Sequence, residues 1–274
     1  MPLYDQHVHS KHSFDSRAEP ADIVERAIDL GLGGVTFTEH FDPHPQEWGD
    51  CVYDDAVHTV SIERLRKRFG GDIFIGKGIE IGYYRPRMEL VLDFVGRHEF
   101  DLVVLSVHYF GGRALYDPVS WKGMDSTEGT LLYLETVLEM VRFCESLHGS
   151  QGRVFHVLGH LDLVKRYTQR FLGTHDVSRF SDLIDDILCA CLAADLVPEV
   201  NSSTLRQNLV DPMPAYDTIR RYSQHGGTAM TMGSDAHLSE TVGAGLDIAA
   251  DALAAVGLRQ ALFKAGVRTD VPVR

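Results

Sequence analysis

The sequence predicts an α/β protein whose parallel strands close, or nearly close, into a barrel. Three observations carry this. Seven β-rich runs alternate with helical runs, the pattern of parallel strands joined by crossover helices. No linker or low-complexity stretch interrupts the alternation, so a single domain is expected over residues 1–274. Polar residues able to do chemistry gather at the C-terminal ends of the strands, the face on which barrels build their sites. The rival is an open doubly wound sheet, but no G-x-G-x-x-G follows the first strand.

The elements follow in order. Residues 3–9 read as the first strand, where alternation sends His7 and His9 to one face and Val8 to the other. Glu19-Pro20-Ala21-Asp22 opens a helix, with Pro early and an acid in the first turn, and Gly31 to Gly34 end it. Val35-Thr36-Phe37-Thr38 is a short strand delivering Glu39-His40, followed by a loop with Pro43, Pro45 and Gly49 and a helix over about 55–69. Ile73 to Ile79 is a third strand delivering Glu80; a helix near 86–97 precedes Leu102-Val103-Val104-Leu105, which runs into His108. After a Gly-rich loop, 128–147 has helical periodicity, and 153–158 forms a fifth strand closing at Gly159-His160. A helix over 178–195 leads to Val197-Pro198-Glu199-Val200 and Asn201, and a helix over 214–225 leads to Thr228–Met232 and then Asp235 and His237. The Ala-rich tail, 243–265, is expected to be helical.

Composition narrows the class of partner. A net charge of −13 argues against a nonspecific grip on nucleic acid. Cys51, Cys144, Cys189 and Cys191 show no framework spacing and read as reduced thiols. No basic flank with an apolar run opens the chain, and no apolar stretch is long enough to span a bilayer, so a cytoplasmic protein without membrane partners is expected. Six of the 14 histidines fall at strand ends beside two acids. Imidazole and carboxylate without thiolate suit Zn²⁺, Mn²⁺ or Fe²⁺. Eight or nine such residues exceed the needs of one ion, so two or three divalent ions are expected, with Glu80 able to bridge.

His7-x-His9, Asp15, Thr38-Glu39-His40, Glu80, Ser106-Val107-His108, Gly159-His160-x-Asp162 and Gly233-Ser234-Asp235-Ala236-His237 together resemble the PHP (polymerase and histidinol phosphatase) phosphoesterases, over residues 3 to about 242. Phe37 to His40 and Glu199 to Arg206 resemble the monofunctional histidinol-phosphate phosphatases of that family. The resemblance implies a distorted (β/α)₇ barrel with a trinuclear metal site. His7, His9, Glu80 and Asp235 would hold one ion, Glu80, His108 and His160 a second, and Asp15, His40 and His237 a third. Asp15, Glu80, Asp235 and His237 would then stand next to the reaction itself. Arg206 and Arg166 are the candidate phosphate contacts, with Lys165 competing for the second role. Thr204 departs from the glycine that family members often carry there. His156 shares a strand face with His160 and reads as core, and Asp162 either orients a ligand imidazole or caps the next segment. The implied reaction is hydrolysis of L-histidinol phosphate by a metal-bridging hydroxide, in histidine biosynthesis. The alternatives are another small phosphate ester, such as a nucleotide or sugar phosphate, and a non-catalytic PHP module.

Overall fold

The structure, a computed structural model, describes residues 1–47, 49, 53–207 and 209–273; Cys51 lies outside them. In chain order the elements are β1 (Tyr4–Val8), α1 (Pro20–Asp29), β2 (Gly34–Phe41), α2 (Asp55–Phe69), β3 (Phe74–Gly82), α3 (Met88–Arg97), β4 (Leu102–Ser106), a small hairpin of β5 (Tyr109–Phe110) and β6 (Arg113–Ala114), α4 (Ser126–Gln151), β7 (Val157–Leu158), α5 (Val164–Leu172), α6 (Ser181–Ala193), β8 (Val197–Asn201), α7 (Tyr216–Gln224), β9 (Ala229–Gly233), α8 (Leu246–Ala255), β10 (Arg259–Lys264) and β11 (Val267–Val271). Local chemistry sets several of the helix ends. Asp54 and Asp125 accept from the backbone N–H of Val57 (3.1 Å) and Glu128 (2.9 Å), capping α2 and α4. Pro20 sits in the first turn of α1.

The sheet runs β1-β2-β3-β4-β7-β8-β9-β10-β11, parallel up to β10. The seven predicted strands are therefore its first seven, in chain order. The ladder itself does not close; β1 and the chain after β9 meet at the C-terminal end of the sheet. There His9 N–H donates to Ala236 O and Asp235 N–H to His7 O, both at 2.8 Å. At the other end β10 stands against β1, and two glutamines replace the missing ladder. Gln6 donates to Ala261 O (2.6 Å) and accepts from Phe263 N–H (2.9 Å), while Gln260 donates to Tyr4 O (2.6 Å) and accepts from Tyr4 N–H (3.2 Å). The barrel is thus drawn together at its functional end and wedged open at the other.

Three expectations are corrected. The tail is not one helix: α8 ends at Ala255, and β10 and β11 form an antiparallel hairpin. Its turn, Ala265-Gly266, has φ +48° and +71°, as a two-residue hairpin turn requires. The fifth strand pairs only over Val157–Leu158, not from residue 153. Helix α5 was not anticipated, because its buried stripe of Val164, Lys165 and Thr168 contains a charged residue and breaks the apolar periodicity.

The core lies in layers. Leu102, Val104, Val157, Val197, Ala229, Ala261 and Phe263 form one buried cluster contributed by successive strands. Val104 stands in register with Glu80, so neighbouring strands place apolar and functional side chains on one face. A second cluster packs α1 and α2 on β2 and β3, and a larger one gathers the helices from α3 to α8. Among the described residues no helix is long and apolar enough to cross a membrane.

Candidate metal centre and its cavity

Register brings the polar residues together. On adjacent parallel strands His40 pairs directly with Glu80, so their side chains emerge side by side, with Nδ1 to Oε2 at 3.2 Å. His7 and His9, both fully buried, point the same way from the end of β1, and their Nε2 atoms approach to 3.1 Å. Gly233 makes this approach possible. A Cβ there would fall 2.3 Å from His7 Cβ and 2.4 Å from Glu199 Oε1. His160 and Asp235 occupy positive φ, +21° and +53°, the kind of backbone strain that clusters at functional sites.

Glu80 is the centre of the arrangement. Its Oε2 faces His7 Nε2 (3.2 Å), His9 Nε2 (3.4 Å) and His40 Nδ1 (3.2 Å); its Oε1 faces His160 Nε2 (2.9 Å) and His108 Nε2 (3.3 Å). Asp235 Oδ1 lies 3.6 Å from His9 Nε2 and 3.5 Å from His237 Nδ1, and Asp15 Oδ2 lies 3.0 Å from His237 Nε2 and 3.4 Å from His40 Nε2. All nine predicted ligand residues thus converge. Donor atoms of His7, His9 and Asp235, of Glu80, His108 and His160, and of His9, His40 and His237 fall into groups within 4.8 Å. The second trio is the predicted grouping, the first is its predicted grouping without Glu80, and the third has His9 where the sequence expects Asp15; His40, Asp42 and His108 form a fourth group.

The electrostatics of the cluster are those of a site that expects cations. Burial opposes ionisation of Glu80, but His7, His40 and His108 hold its carboxyl well below the usual range. Burial also opposes the charging of His7 and His108, yet Glu199 and Glu80 raise the first, and Asp42 and Glu80 the second, well above an ordinary imidazole. His9, buried and crowded by His237 and His40, is pushed the other way. His160 Nδ1 is buried without a hydrogen-bond partner among the described residues, and His40 Nδ1 has only its ion-pair contact with Glu80. Opposed imidazole nitrogens and a carboxylate shared among five rings form a donor set suited to divalent ions of the Zn, Mn or Fe type.

A supporting layer surrounds the cluster; Glu39, Glu199 and Asn201 stand in the motifs quoted above without an assigned part, and Asp42 stands in none of them. Asp42 accepts from His108 Nδ1 at 2.6 Å, and Glu199 from His7 Nδ1 at 2.7 Å, which leaves the opposite nitrogen of each ring directed at Glu80. Glu39 accepts from Ser10 and Ser13; burial pushes its carboxyl up to about 7 against those hydrogen bonds. Asn201 Oδ1 accepts from Ser203, whose Oγ reaches Asp235 Oδ2 at 3.2 Å. The signal for Glu199 was its place two residues before Asn201 on the same strand face; Asp42 offered no signal beyond following His40 by two.

The arginines separate. Arg166 lines the cavity above the cluster, bonded to Ser203 Oγ and 3.4 Å from Asp235 Oδ2. Arg206 lies behind that wall, donating to Ser234 O (2.7 Å) and Asp235 O (3.2 Å). Lys165 is fully buried against Asp162 (3.0 Å) and Pro212 O, away from the site. Asp162 also accepts from Ala215 N–H at 3.0 Å, so it orients no ligand imidazole. His156 stacks on Phe263 and accepts from Val103 N–H at 2.9 Å, in the core. The cavity, about 120 Å³, is walled by cluster residues together with Phe14, Asp42, Glu47, Leu115, Tyr116, Leu163, Arg166 and Tyr167.

A buried carboxylate–imidazole cluster at the C-terminal end of a parallel barrel, with an arginine at its mouth, defines a class of metal-cluster proteins. The PHP domain model matches residues 5–203, and the chain belongs to that family. It is 29% identical over 246 residues, 88% of this chain and 89% of the other, to the probable histidinol-phosphatase of Clostridium acetobutylicum. The histidinol-phosphatase of Lactococcus lactis subsp. lactis is 27% identical, covering 88% of this chain and 86% of that one. The crystal structure of histidinol phosphate phosphatase from Lactococcus lactis subsp. lactis Il1403, complexed with zinc, L-histidinol and phosphate, superposes with a TM-score of 0.87 at 25% identity, over 97% of this chain and 98% of that one.

Proposed function

We propose that the protein is a metal-dependent phosphomonoesterase that hydrolyses L-histidinol phosphate to L-histidinol and phosphate, its barrel acting as one domain. The observation that carries this reading is Glu80, whose two oxygens divide five imidazoles into two sets beneath a cavity fringed by Arg166. His7, His9, Asp15, His40, Glu80, His108, His160, Asp235 and His237 would hold two or three ions, as the sequence grouping has them. Divalent ions in such a site neutralise phosphoryl charge and acidify a coordinated water.

The chain's own residues do the rest. Arg166, on the cavity wall, binds phosphoryl oxygens, and Arg206 adds positive charge behind Asp235; a guanidinium carries five N–H groups, so both keep donors for an anion. Glu199 and Asp42 fix the tautomers of His7 and His108. Asp15 and His237, paired at 3.0 Å and a third exposed, are the acid–base groups nearest the mouth, where the departing alkoxide collects its proton.

Metal-loaded protein should release phosphate from L-histidinol phosphate at least tenfold faster than from an aryl phosphate or a sugar phosphate, by a colorimetric phosphate assay. Equal rates across the panel would point to another small ester. Asp42→Asn should weaken metal affinity about 10–100-fold in a chelator competition, because His108 loses the carboxylate that orients it.

A further inference from the structure

One carboxylate on the cavity wall belongs to neither the cluster nor its support. Glu47 is buried, 7% exposed, and its Oε1 accepts from the phenols of Tyr109 (2.6 Å) and Tyr116. Among the described residues no lysine, arginine or histidine forms an ion pair with it. Burying a carboxylate without a cation is costly unless a counter-charge arrives from elsewhere. Two phenol donors steady it but supply no net positive charge.

The rest of the wall suggests where that charge comes from. Arg166 and the ligand cluster offer the cavity a place for an anion; the other lining residues are Asp42, Glu47, Phe14, Leu115, Tyr116, Leu163 and Tyr167. Phe14 and Tyr116 stay 53% and 49% exposed although aromatic, as surfaces awaiting a planar or cationic group do. We propose that Glu47, held by Tyr109 and Tyr116 on a cavity wall that Phe14 also lines, is the specificity group that binds a positively charged nitrogen on the organic part of the substrate. The proposal rests on the phosphomonoesterase reading above, and it adds that Glu47 is the group that selects for the cationic end of the ester.

The test compares metal-loaded wild-type and Glu47→Gln protein on pairs of esters that differ in charge. O-phosphoethanolamine is set against ethyl phosphate, and L-histidinol phosphate against p-nitrophenyl phosphate. The readout is the ratio of kcat/KM, cationic over uncharged, which cancels any general loss of activity. A charge-assisted hydrogen bond of ordinary strength makes that ratio fall about 10–100-fold in the variant. A ratio the same in both proteins would overturn the proposal, even if histidinol phosphate were turned over rapidly. A ratio that collapses while histidinol phosphate is a poor substrate would keep Glu47 and remove the proposed substrate. Where Glu47→Gln does not fold, the wild type decides alone. There the matched pair is read: O-phosphoethanolamine favoured at least tenfold over ethyl phosphate supports the proposal, and equal turnover of the two overturns it.

Discussion

Glu80→Gln is expected to lower kcat/KM by about 10³-fold and to remove at least one metal ion per chain. The substitution keeps shape and volume, so the effect is chemical. A carboxylate offers equivalent oxygens to both sets of imidazoles; a carboxamide has one oxygen, and its NH₂ cannot coordinate. Whichever way the amide turns, either the His108–His160 side or the His7–His9–His40 side meets a donor in place of an acceptor. Steady-state kinetics beside metal analysis of the same sample checks this. A variant with wild-type turnover and metal content would show that Glu80 does not bridge.

The metal-free protein should lose stability as pH rises from about 7 to 9, and the metal-loaded protein should not. His237 sets the upper part of this window. Burial opposes its charge, but Asp15 and Asp235 raise its pKa to about 9. A histidine raised in the folded state contributes stability that is complete below its unfolded value of roughly 6.5 and is lost as pH climbs through the folded value. His7, His40 and His108 are shifted in the same direction. Glu39, raised to about 7, is half titrated at the start of the window and adds to the loss over its first unit, because burial opposes its ionisation. Asp15 and Asp235 are held well below the usual carboxylate range and act only in acid. Allowing about 2–4 °C per kcal/mol for a chain of this size, Tm should drop by roughly 4–8 °C. Bound cations replace the protons, so metal affinity should rise across the same window, with proton release in unbuffered solution. A flat apo profile between pH 7 and 9 would contradict the assignment.

The converging residues were legible because they sit where local signals are loudest. Each follows a β-rich run, and His7 with His9 announce a shared face by their spacing alone. Asp15 is the exception; it lies in a loop and became visible only through the family resemblance. Asp42 and Glu47 stood in a Pro-rich loop with nothing periodic to set them apart, and only tertiary placement gave them partners. The C-terminal hairpin was missed for a related reason. Gln260 is fully buried, and its polarity hides the strand it belongs to. Lys165 hides α5 in the same way. Buried polar residues whose partners are distant in sequence are what reading along the chain cannot supply.

The clasp between β1 and the end of the chain has a consequence for biosynthesis. Gln6 finds its acceptor 255 residues away, and Asp5 holds Ser234 across 229. Contacts of such range form only after the intervening loop entropy has been met. His7 and His9 leave the ribosome first, but their companions Asp235 and His237 are among the last to be made. A nascent chain therefore carries an incomplete chelating site until Asp235 and His237 are made, and metal acquisition is expected to follow their synthesis.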